Sequence, residues 1–304
     1  MTKNAMPTVT IVTAVLNLVK NGRVDYFKQC LESVHNQTYK NIEHIIIDGA
    51  SSDGTLDIIQ EYIDKGWVKC FSEKDTGIYN AFNNGIKHAT GKYVVFLNSD
   101  DYYCDERAVE LSINALEKTG ADFSCATANV IDSEGKTIYV FRPNVKGFAL
   151  SIPFPHETMF CRTDTIRRYG GFDESFRIAG DYDLILKMIL SGCRVVVVDA
   201  TILDFRATGV SFNDMEKAKK ECIRSQISNL GITEKQAVKI QNSRYFPVRK
   251  LLTVFKNIKI SKTKQITYHM LENIHAMRSW IIKFHTNRNG ITEVKLFGFY
   301  IVKK

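Results

Sequence analysis

Short apolar runs alternate with segments of helical spacing along the amino-terminal part of the chain. The apolar runs are rich in β-branched residues, which predicts strands over residues 8–13, 42–47, 68–71 and 93–97. Between them, apolar side chains share one helical face, which predicts helices over residues 26–36, 55–63 and 78–89. This alternation predicts an α/β fold with a mainly parallel sheet and helices on both faces.

The alternation is less regular beyond residue 102. Apolar spacing predicts helices over residues 107–118, 163–169 and 181–191, and strands over residues 123–131, 137–141 and 195–198. Two amphipathic helices are predicted near the carboxyl end, over residues 248–258 and 270–284. We therefore divide the chain into a domain over residues 1–232 and a basic, amphipathic, helical C-terminal region over residues 233–304.

Charge separates the same two regions. Residues 233–304 hold 15 Lys and Arg against 3 Glu, a net charge of +12, whereas residues 1–232 sum to −4. A basic amphipathic region is expected to seek an anionic surface such as a membrane. A solvated basic face, or helices that pack on the first domain or on a second copy, are the alternatives. Residues 1–232 contain no recognisable nucleic-acid-binding module, so we expect no nucleic-acid partner.

Seven scattered cysteines form no C-x-x-C pair, which argues against both a disulfide framework and a zinc site. Free cysteines fit a reducing compartment. Residues 1–7 have no apolar core typical of a secretory signal, and the most apolar stretch, residues 195–198, is too short to span a bilayer. We expect a cytoplasmic protein that is either free or attached peripherally to the inner face of the cytoplasmic membrane.

Polar residues follow four of the predicted strands. They are Asn17 and the segments 48–54, 73–77 and 98–101. Ligands of mainly parallel sheets bind beyond the carboxyl ends of the strands, so four polar clusters on this rim predict a binding site. The first strand is not followed by G-x-G-x-x-G, which disfavours a dinucleotide oxidoreductase.

Asp100 and Asp101 are adjacent carboxylates directly after an apolar strand. Such a pair is costly unless a cation lies between the two groups, although a simple loop or helix-capping pair is the alternative. Mg²⁺ takes one or two protein carboxylates and completes its shell with substrate phosphates. The pair therefore predicts a divalent metal, Mn²⁺ or Mg²⁺, that holds a diphosphate. Asp48, after the second strand, can accept hydrogen bonds from a ribose or a base.

Five segments, taken in order, resemble family 2 glycosyltransferases with the GT-A fold, a mainly parallel Rossmann-like sheet. The likeness spans about residues 7–210 and is carried by segments 9–17, 45–55, 72–81 and 98–101, and by the stretch from 155 to 183. The resemblance implies an enzyme that moves a sugar from a nucleotide-sugar donor to an acceptor hydroxyl.

The resemblance also implies roles for residues of the donor site. Thr13, Ala14 and Asn17 would line the pocket of the nucleotide base, Asp48 would bind the base or ribose, and Asp75 would reach the nucleotide. The triplet Asn98, Ser99 and Asp100 matches the Asp-x-Asp element of the family, with Asn98 in place of the first Asp. The metal ligand is therefore open between Asp100 and Asp101, and we favour Asp100.

For the acceptor side, Asp181 matches the catalytic base of the family, although Gly180 stands where Glu is common. Asp181 begins a predicted helix whose dipole favours the ionised carboxylate, and an N-cap is the alternative reading. His156 and Glu157 resemble residues that contact the acceptor or a phosphate. A single displacement at the anomeric carbon would invert its configuration.

By the same resemblance, the donor is a UDP-sugar and the acceptor a lipid-linked saccharide in cell-surface polysaccharide synthesis. The alternative is a non-catalytic scaffold that binds a nucleotide sugar without turning it over. Because Asp100, Asp101 and Asp181 are all present, the enzyme is favoured.

Overall fold

The computed structural model describes residues 6–209, 212, 214–242, 283–286, 292–296 and 299–302. The amino-terminal part alternates strictly between strands and helices. In chain order, its elements are β1 (Val9–Val15), α1 (Val24–His35), β2 (Ile42–Asp48), α2 (Thr55–Asp64), β3 (Lys69–Ser72), α3 (Ile78–His88) and β4 (Tyr93–Phe96). Each of these elements was predicted from the hydrophobic pattern.

The following part mixes longer and very short elements. They are β5 (Tyr102–Tyr103), α4 (Ala108–Thr119), β6 (Phe123–Ile131), β7 (Thr137–Phe141), β8 (Cys161–Arg162), α5 (Thr163–Arg168), α6 (Gly180–Leu190), β9 (Val195–Arg206), α7 (Met215–Leu230) and α8 (Glu234–Asn242). Single 3₁₀ turns occur at Val145–Gly147 and His156–Thr158.

The strands form one sheet in the order β3-β2-β1-β4-β8-β6-β9-β5, and β7 pairs with β6. Strands β3, β2, β1 and β4 pair in parallel with one another, and the long strands β6 and β9 also pair in parallel. Strands β8, β5 and β7 pair antiparallel with their neighbours. The prediction of an α/β fold with a mainly parallel sheet is confirmed. The antiparallel pairs lie in the part where the alternation is less regular.

Strand β1 is buried on both faces. Val9, Ile11 and Val15 pack against α1, α2 and α4 on one face, and α3 packs on the sheet through Val12 on the other. A strand covered on both faces reads as a continuous apolar run, which is the pattern of residues 8–13.

The position of β1 between β2 and β4 brings three strand ends together. Val15 pairs in register with Asp48 at the end of β2, and Val12 pairs with Phe96 at the end of β4. The backbone N–H of Leu97 donates to the carbonyl of Val12 at 2.9 Å. The polar residues that follow these strands therefore emerge next to one another.

Several features differ from the sequence prediction. Strand β9 continues to Arg206 instead of ending at 198: Asp199 and Thr201 interrupt the apolar run, but pairing with β6 continues through two register shifts. Strands β5 and β8 have two residues each, too few for a periodic signal. Helix α7 has a polar inner face, with Ser225 and Gln226 completely buried, so apolar spacing does not reveal it. Helix α8 was also not predicted.

The chain divides into two compact units, Met1–Phe255 and Lys256–Lys304. In the first, α8 packs on α7 and buries Ala237 and Ile240. The division after residue 232, which rests on charge, stays a prediction. No helix among the described residues combines the length and apolarity needed to cross a membrane.

The second unit contains an antiparallel sheet of β10 (Lys283–Thr286), β11 (Thr292–Leu296) and β12 (Phe299–Val302). The predicted helix over residues 248–258 lies outside the described residues. The helix predicted over residues 270–284 also lies outside them, except for residues 283 and 284, which belong to a strand and not to a helix. The described strands are rich in β-branched and aromatic residues, which favour pleated structure.

Replacing Gly85 of α3 by alanine should destabilise the fold. A methyl group at this position would collide with both methyl groups of Val12 on the buried strand β1. We expect a loss of about 1–3 kcal/mol in the free energy of unfolding, measured by urea denaturation. Val12→Ala opens the space, so the cost of Gly85→Ala should be smaller in a Val12→Ala background. If Gly85→Ala costs the same free energy of unfolding in both backgrounds, the collision with Val12 is contradicted.

Candidate active site

A cleft of about 610 Å³ opens at the carboxyl ends of β1 and β4. Its walls come from segments that are far apart in the sequence. The charged and polar side chains that line it include Asn21, Arg23, Asp75, Tyr79, Asn98, Ser99, Asp100, Asp101, His156, Glu157, Arg177, Asp181 and Arg206.

Most of the predicted site residues line this cleft. They are Ala14, Asp75, Asn98, Ser99, Asp100, Asp101, His156, Glu157 and Asp181. Thr13, Asn17 and Asp48 are not among its lining residues; Thr13 and Asp48 are buried, and Asn17 is half-buried. The structure therefore brings together the predicted metal ligands, the predicted base and the predicted acceptor residues. The nucleotide contacts predicted for Thr13, Asn17 and Asp48 stay a prediction.

Asp48 is fully buried and holds the loop after β2. Its carboxylate accepts hydrogen bonds from the Ser51 hydroxyl at 2.5 Å, the Ser51 N–H at 3.0 Å and the Ser72 hydroxyl at 2.6 Å. Its neighbour Gly49 leaves room for Asp75, because a Cβ at position 49 would lie 2.6 Å from a carboxylate oxygen of Asp75. Burial and the charge of Asp48 raise the pKa of Asp75, although the hydrogen bond from the N–H of Gly77 partly offsets this rise.

Asn17 links the loop after β1 to the loop after β2. It has a left-handed backbone, with φ of 50°, its N–H donates to the Ser51 hydroxyl at 2.7 Å, and its side-chain oxygen accepts from the Ser52 N–H at 3.0 Å. Thr13 is buried, with its hydroxyl 3.0 Å from Nε2 of His44. Burial lowers the pKa of His44 to about 3, so this imidazole is neutral.

The two adjacent aspartates have different surroundings. One oxygen of Asp101 accepts from the N–H of Arg206 at 2.7 Å and the other from the amide of Asn98 at 3.1 Å. Burial, together with the charges of Asp100 and Glu157, raises the pKa of Asp101 well above its usual range. The carboxylate of Asp100 instead faces the cleft and pairs with Nη1 of Arg23 at 3.2 Å.

Asn98 explains the departure from the Asp-x-Asp pattern. Its side-chain amide donates to Asp101 at 3.1 Å and to Glu157 at 2.5 Å. An aspartate at this position would offer no proton and would add a third negative charge between two buried carboxylates, which is unfavourable. The amide therefore stabilises an arrangement in which Asp100 is the carboxylate that faces the cleft.

Arg206, at the end of β9, was not predicted. Its guanidinium is buried, donates to the carbonyl of Asp100 at 3.1 Å and to the side chain of Gln29 at 2.7 Å, and lies 4.2 Å from the ring centre of Tyr26. It holds the backbone of the aspartate pair in place. An arginine at the end of an apolar strand could have indicated this role. Arginine is seldom buried without a hydrogen-bond or ion-pair partner, so its position predicts polar groups close by.

His156 lies between two carboxylates that line the cleft. Its Nδ1 lies 3.3 Å from Asp181 and 3.5 Å from Glu157. Burial disfavours the charged imidazole, but the two carboxylates outweigh this effect and raise the pKa of His156 to about 9. His156 is therefore protonated at neutral pH and compensates the charge of Asp181 and Glu157.

Asp181 lies in the first turn of α6, with 12% of its side chain exposed to the cleft. One of its oxygens lies 3.4 Å from the hydroxyl of Tyr79. The ring of Tyr79 also explains Gly180, because a Cβ at position 180 would lie 2.7 Å from that ring. Tyr79 thus takes the space that a glutamate at position 180 would need, and sequence reasoning did not anticipate this contact.

Asp100 is the residue best suited to hold a divalent cation. Its carboxylate reaches the cleft, whereas both oxygens of Asp101 are engaged in hydrogen bonds. Within the part of the chain that the structure describes, no group of three or more His, Cys, Asp or Glu is arranged to hold a metal. A cation here would take most of its ligands from a bound diphosphate and water, as Mg²⁺ commonly does.

Sequence comparisons agree with the geometry. The model of the family described as "Glycosyl transferase family 2" matches residues 12–177. An uncharacterized glycosyltransferase of Mycobacterium tuberculosis is 30% identical over 217 residues, covering 67% of this chain and 77% of that protein. The chondroitin synthase of Escherichia coli is 34% identical over 201 residues, covering 62% of this chain and 27% of the synthase.

Solved structures share the fold. Staphylococcus aureus TarS 1–349 in complex with UDP-GlcNAc has a TM-score of 0.59 at 15% identity, covering 98% of this chain and 99% of that chain. The mannosyltransferase PcManGT of Pyrobaculum calidifontis in complex with GDP-Man and Mn²⁺ has a TM-score of 0.54 at 14% identity, covering 91% and 84%. Since the family model spans more than half of the chain, and a relative of 30% identity covers two thirds of it, the chain belongs to glycosyl transferase family 2 and is a glycosyltransferase.

Proposed function

We propose that this glycosyltransferase moves a sugar from a UDP-sugar to an acceptor hydroxyl with inversion, and that Asp181 is the general base. The observation that carries this proposal is the shared cleft, in which Asp181 lines the same cavity as Asp75 and Asp100. A base and a diphosphate site in one cavity are what a direct displacement at the anomeric carbon requires.

The donor would bind at the ends of β1, β2 and β4. UDP-GlcNAc and GDP-Man are bound by two proteins of the same fold, which supports a nucleotide-sugar donor for this chain. Ala14, Asp75 and Ser99 line the cleft and would contact the nucleotide. We propose that Asn17 and Asp48 hold the loops after β1 and β2 that adjoin the nucleotide, and that Thr13 supports β1 through its contact with His44.

A divalent cation, Mn²⁺ or Mg²⁺, would be held by Asp100 and would neutralise the charge of the departing diphosphate. Arg23 lies against the same carboxylate and lines the cleft, so its guanidinium is available to a diphosphate oxygen once the pair opens. Arg206 and Asn98 keep Asp101 in place and thereby fix the backbone that presents Asp100.

Asp181 would take the proton of the acceptor hydroxyl as that oxygen attacks. His156, protonated at neutral pH, stabilises the ionised carboxylate at 3.3 Å. His156 and Glu157 line the same cleft as Asp100 and Asp181, and we propose that they contact the acceptor. Because the donor carbon is attacked once, on the face opposite the diphosphate, the product has inverted configuration.

The acceptor that we propose is a lipid-linked saccharide used in cell-surface polysaccharide synthesis, met at the inner face of the cytoplasmic membrane. The support is the net charge of +12 in residues 233–304, because anionic headgroups attract basic segments by about 1 kcal/mol for each Lys or Arg near the surface.

Asp181→Asn should reduce sugar transfer by about 10²- to 10⁴-fold, the range that general bases contribute. The measurement is UDP release from a panel of UDP-sugars in the presence of acceptor, and UDP binding should be unchanged. Asp164→Asn, an exposed aspartate in the first turn of α5, is the control and should retain full activity. A fully active Asp181→Asn variant would remove the base assignment.

Asp100→Asn should abolish the thermal stabilisation that Mn²⁺ adds to UDP binding, because the cation loses the carboxylate that faces the cleft. The measurement is the Tm with UDP, with and without Mn²⁺. Asp57→Asn, an exposed aspartate on α2, should behave as wild type. An undiminished response of Asp100→Asn to Mn²⁺ would show that the cation binds elsewhere.

The chain should float with vesicles that contain anionic lipid at low salt and should be released at high salt. A chain that ends after Asn242 keeps α8 on α7 but lacks 13 of the 15 basic residues, so it should stay with the soluble fraction. Neutral vesicles are the control. Equal flotation of both chains would exclude membrane attachment through this region.

A further inference from the structure

A glutamate from α7 binds the backbone just before α6. The carboxylate of Glu221 accepts hydrogen bonds from the N–H groups of three successive residues: Arg177 at 3.0 and 3.1 Å, Ile178 at 2.8 Å and Ala179 at 2.9 Å. Residues 177–179 form the turn that leads into the helix on which Asp181 lies.

This contact binds the backbone N–H groups up to and including the N-cap of α6. The first N–H groups of a helix need external acceptors, usually a Ser, Thr, Asp or Asn side chain at the N-cap. The N-cap of α6 is Ala179, which makes no such bond. Glu221, 42 residues further along the chain, accepts the N–H of this N-cap residue instead. Inside the first turn, the N–H of Tyr182 donates to the side chain of Asp181 at 2.8 Å. The bonds to Glu221 are charge-assisted and stronger than those of a neutral cap.

The same turn is held from the opposite side by Tyr79. Its hydroxyl donates to the carbonyl of Ile178 at 2.6 Å, and its ring stacks on Phe172 with centres 5.5 Å apart. The turn thus has its N–H groups bound by one helix and a carbonyl bound by another. Asp181 is the second residue of the helix that begins directly after this turn.

Helix α7 is itself fixed against α6 by polar contacts at helical spacing. Ser225 and Asn229, four and eight residues after Glu221, both donate to Asp183, at 2.8 and 2.7 Å. Residues four apart share a helix face, so Glu221 belongs to a polar stripe that faces α6. Its carboxylate reaches the turn as part of this packed surface.

We propose that Glu221 is a positioning residue that fixes the turn 177–179 and thereby aims the carboxylate of Asp181 into the cleft. The proposal rests on the proposed role of Asp181 as the base. Glu221 does not line the cleft. It acts through the backbone alone, and it is required for the chemical step, not for donor binding.

The test compares Glu221→Gln with two controls. Ser225→Ala removes a buried hydrogen bond between the same two helices without affecting the turn, and Glu216→Gln alters an exposed acid on the same helix. The first readout is the titration of the His156 imidazole by NMR, because its Nδ1 lies 3.3 Å from Asp181 and senses the position of that carboxylate. Asp181→Asn gives the value expected when the charge is lost.

In Glu221→Gln, the pKa of His156 should fall from about 9 by at least half of the change seen in Asp181→Asn. The kcat of sugar transfer should fall at least tenfold, with the KM of the donor within twofold of wild type. Ser225→Ala and Glu216→Gln should leave the His156 titration and kcat unchanged, even where Ser225→Ala lowers the Tm. Glu221→Asp, which keeps the charge on a shorter side chain, should give smaller changes in both readouts. It replaces Glu221→Gln in the test if that variant does not fold.

An unchanged His156 titration in folded Glu221 variants would overturn the proposal and reduce Glu221 to a stabilising contact. A changed KM with an unchanged kcat would also overturn it. If Asp181→Asn remains active while Glu221→Gln still shifts the His156 titration, the base assignment fails, but the orientation of Asp181 by Glu221 stands. The titration and the rate thus separate the two claims.

Discussion

The hydrogen-bond register of β1 with its two parallel neighbours is the constraint on which the site depends. It places the end of β2, with Asp48, and the end of β4, just before Asn98, beside the loop after β1. Specific packing on both faces holds this strand in place: Val12 lies against Gly85 of α3, and the side chains of the other face pack on α1, α2 and α4. The cleft is therefore a consequence of how the core packs.

Within that frame, the acidic residues have separate tasks. Asp48 and Asp101 are saturated by internal hydrogen bonds and shape the loops, whereas Asp100 and Asp181 face the cleft. Protonated His156 and the amide of Asn98 keep the carboxylates from repelling one another. A concentration of negative charge that would otherwise destabilise the fold is thus made compatible with burial of these side chains.

The sequence predicts best what is periodic and local. Strands covered on both faces and helices with an apolar stripe were recognised. Asp100 was identified because it follows such a strand, and Asp181 through the resemblance to the family. Helix α7 was missed because its inner face is polar. The roles of Arg206 and Tyr79 were missed for another reason: their partners are backbone groups or residues distant in the chain, and neither leaves a periodic trace.

The contact between Tyr79 and Gly180 also limits how this site can diverge. A chain that gains a side chain at position 180 must lose the aromatic ring at position 79, because both would occupy the same volume. The constraint acts in one direction: a side chain at position 180 requires a smaller residue at position 79 or a shift of the helix that carries Asp181. Enzymes descended from this one would therefore keep a glycine at position 180 for as long as they keep the tyrosine.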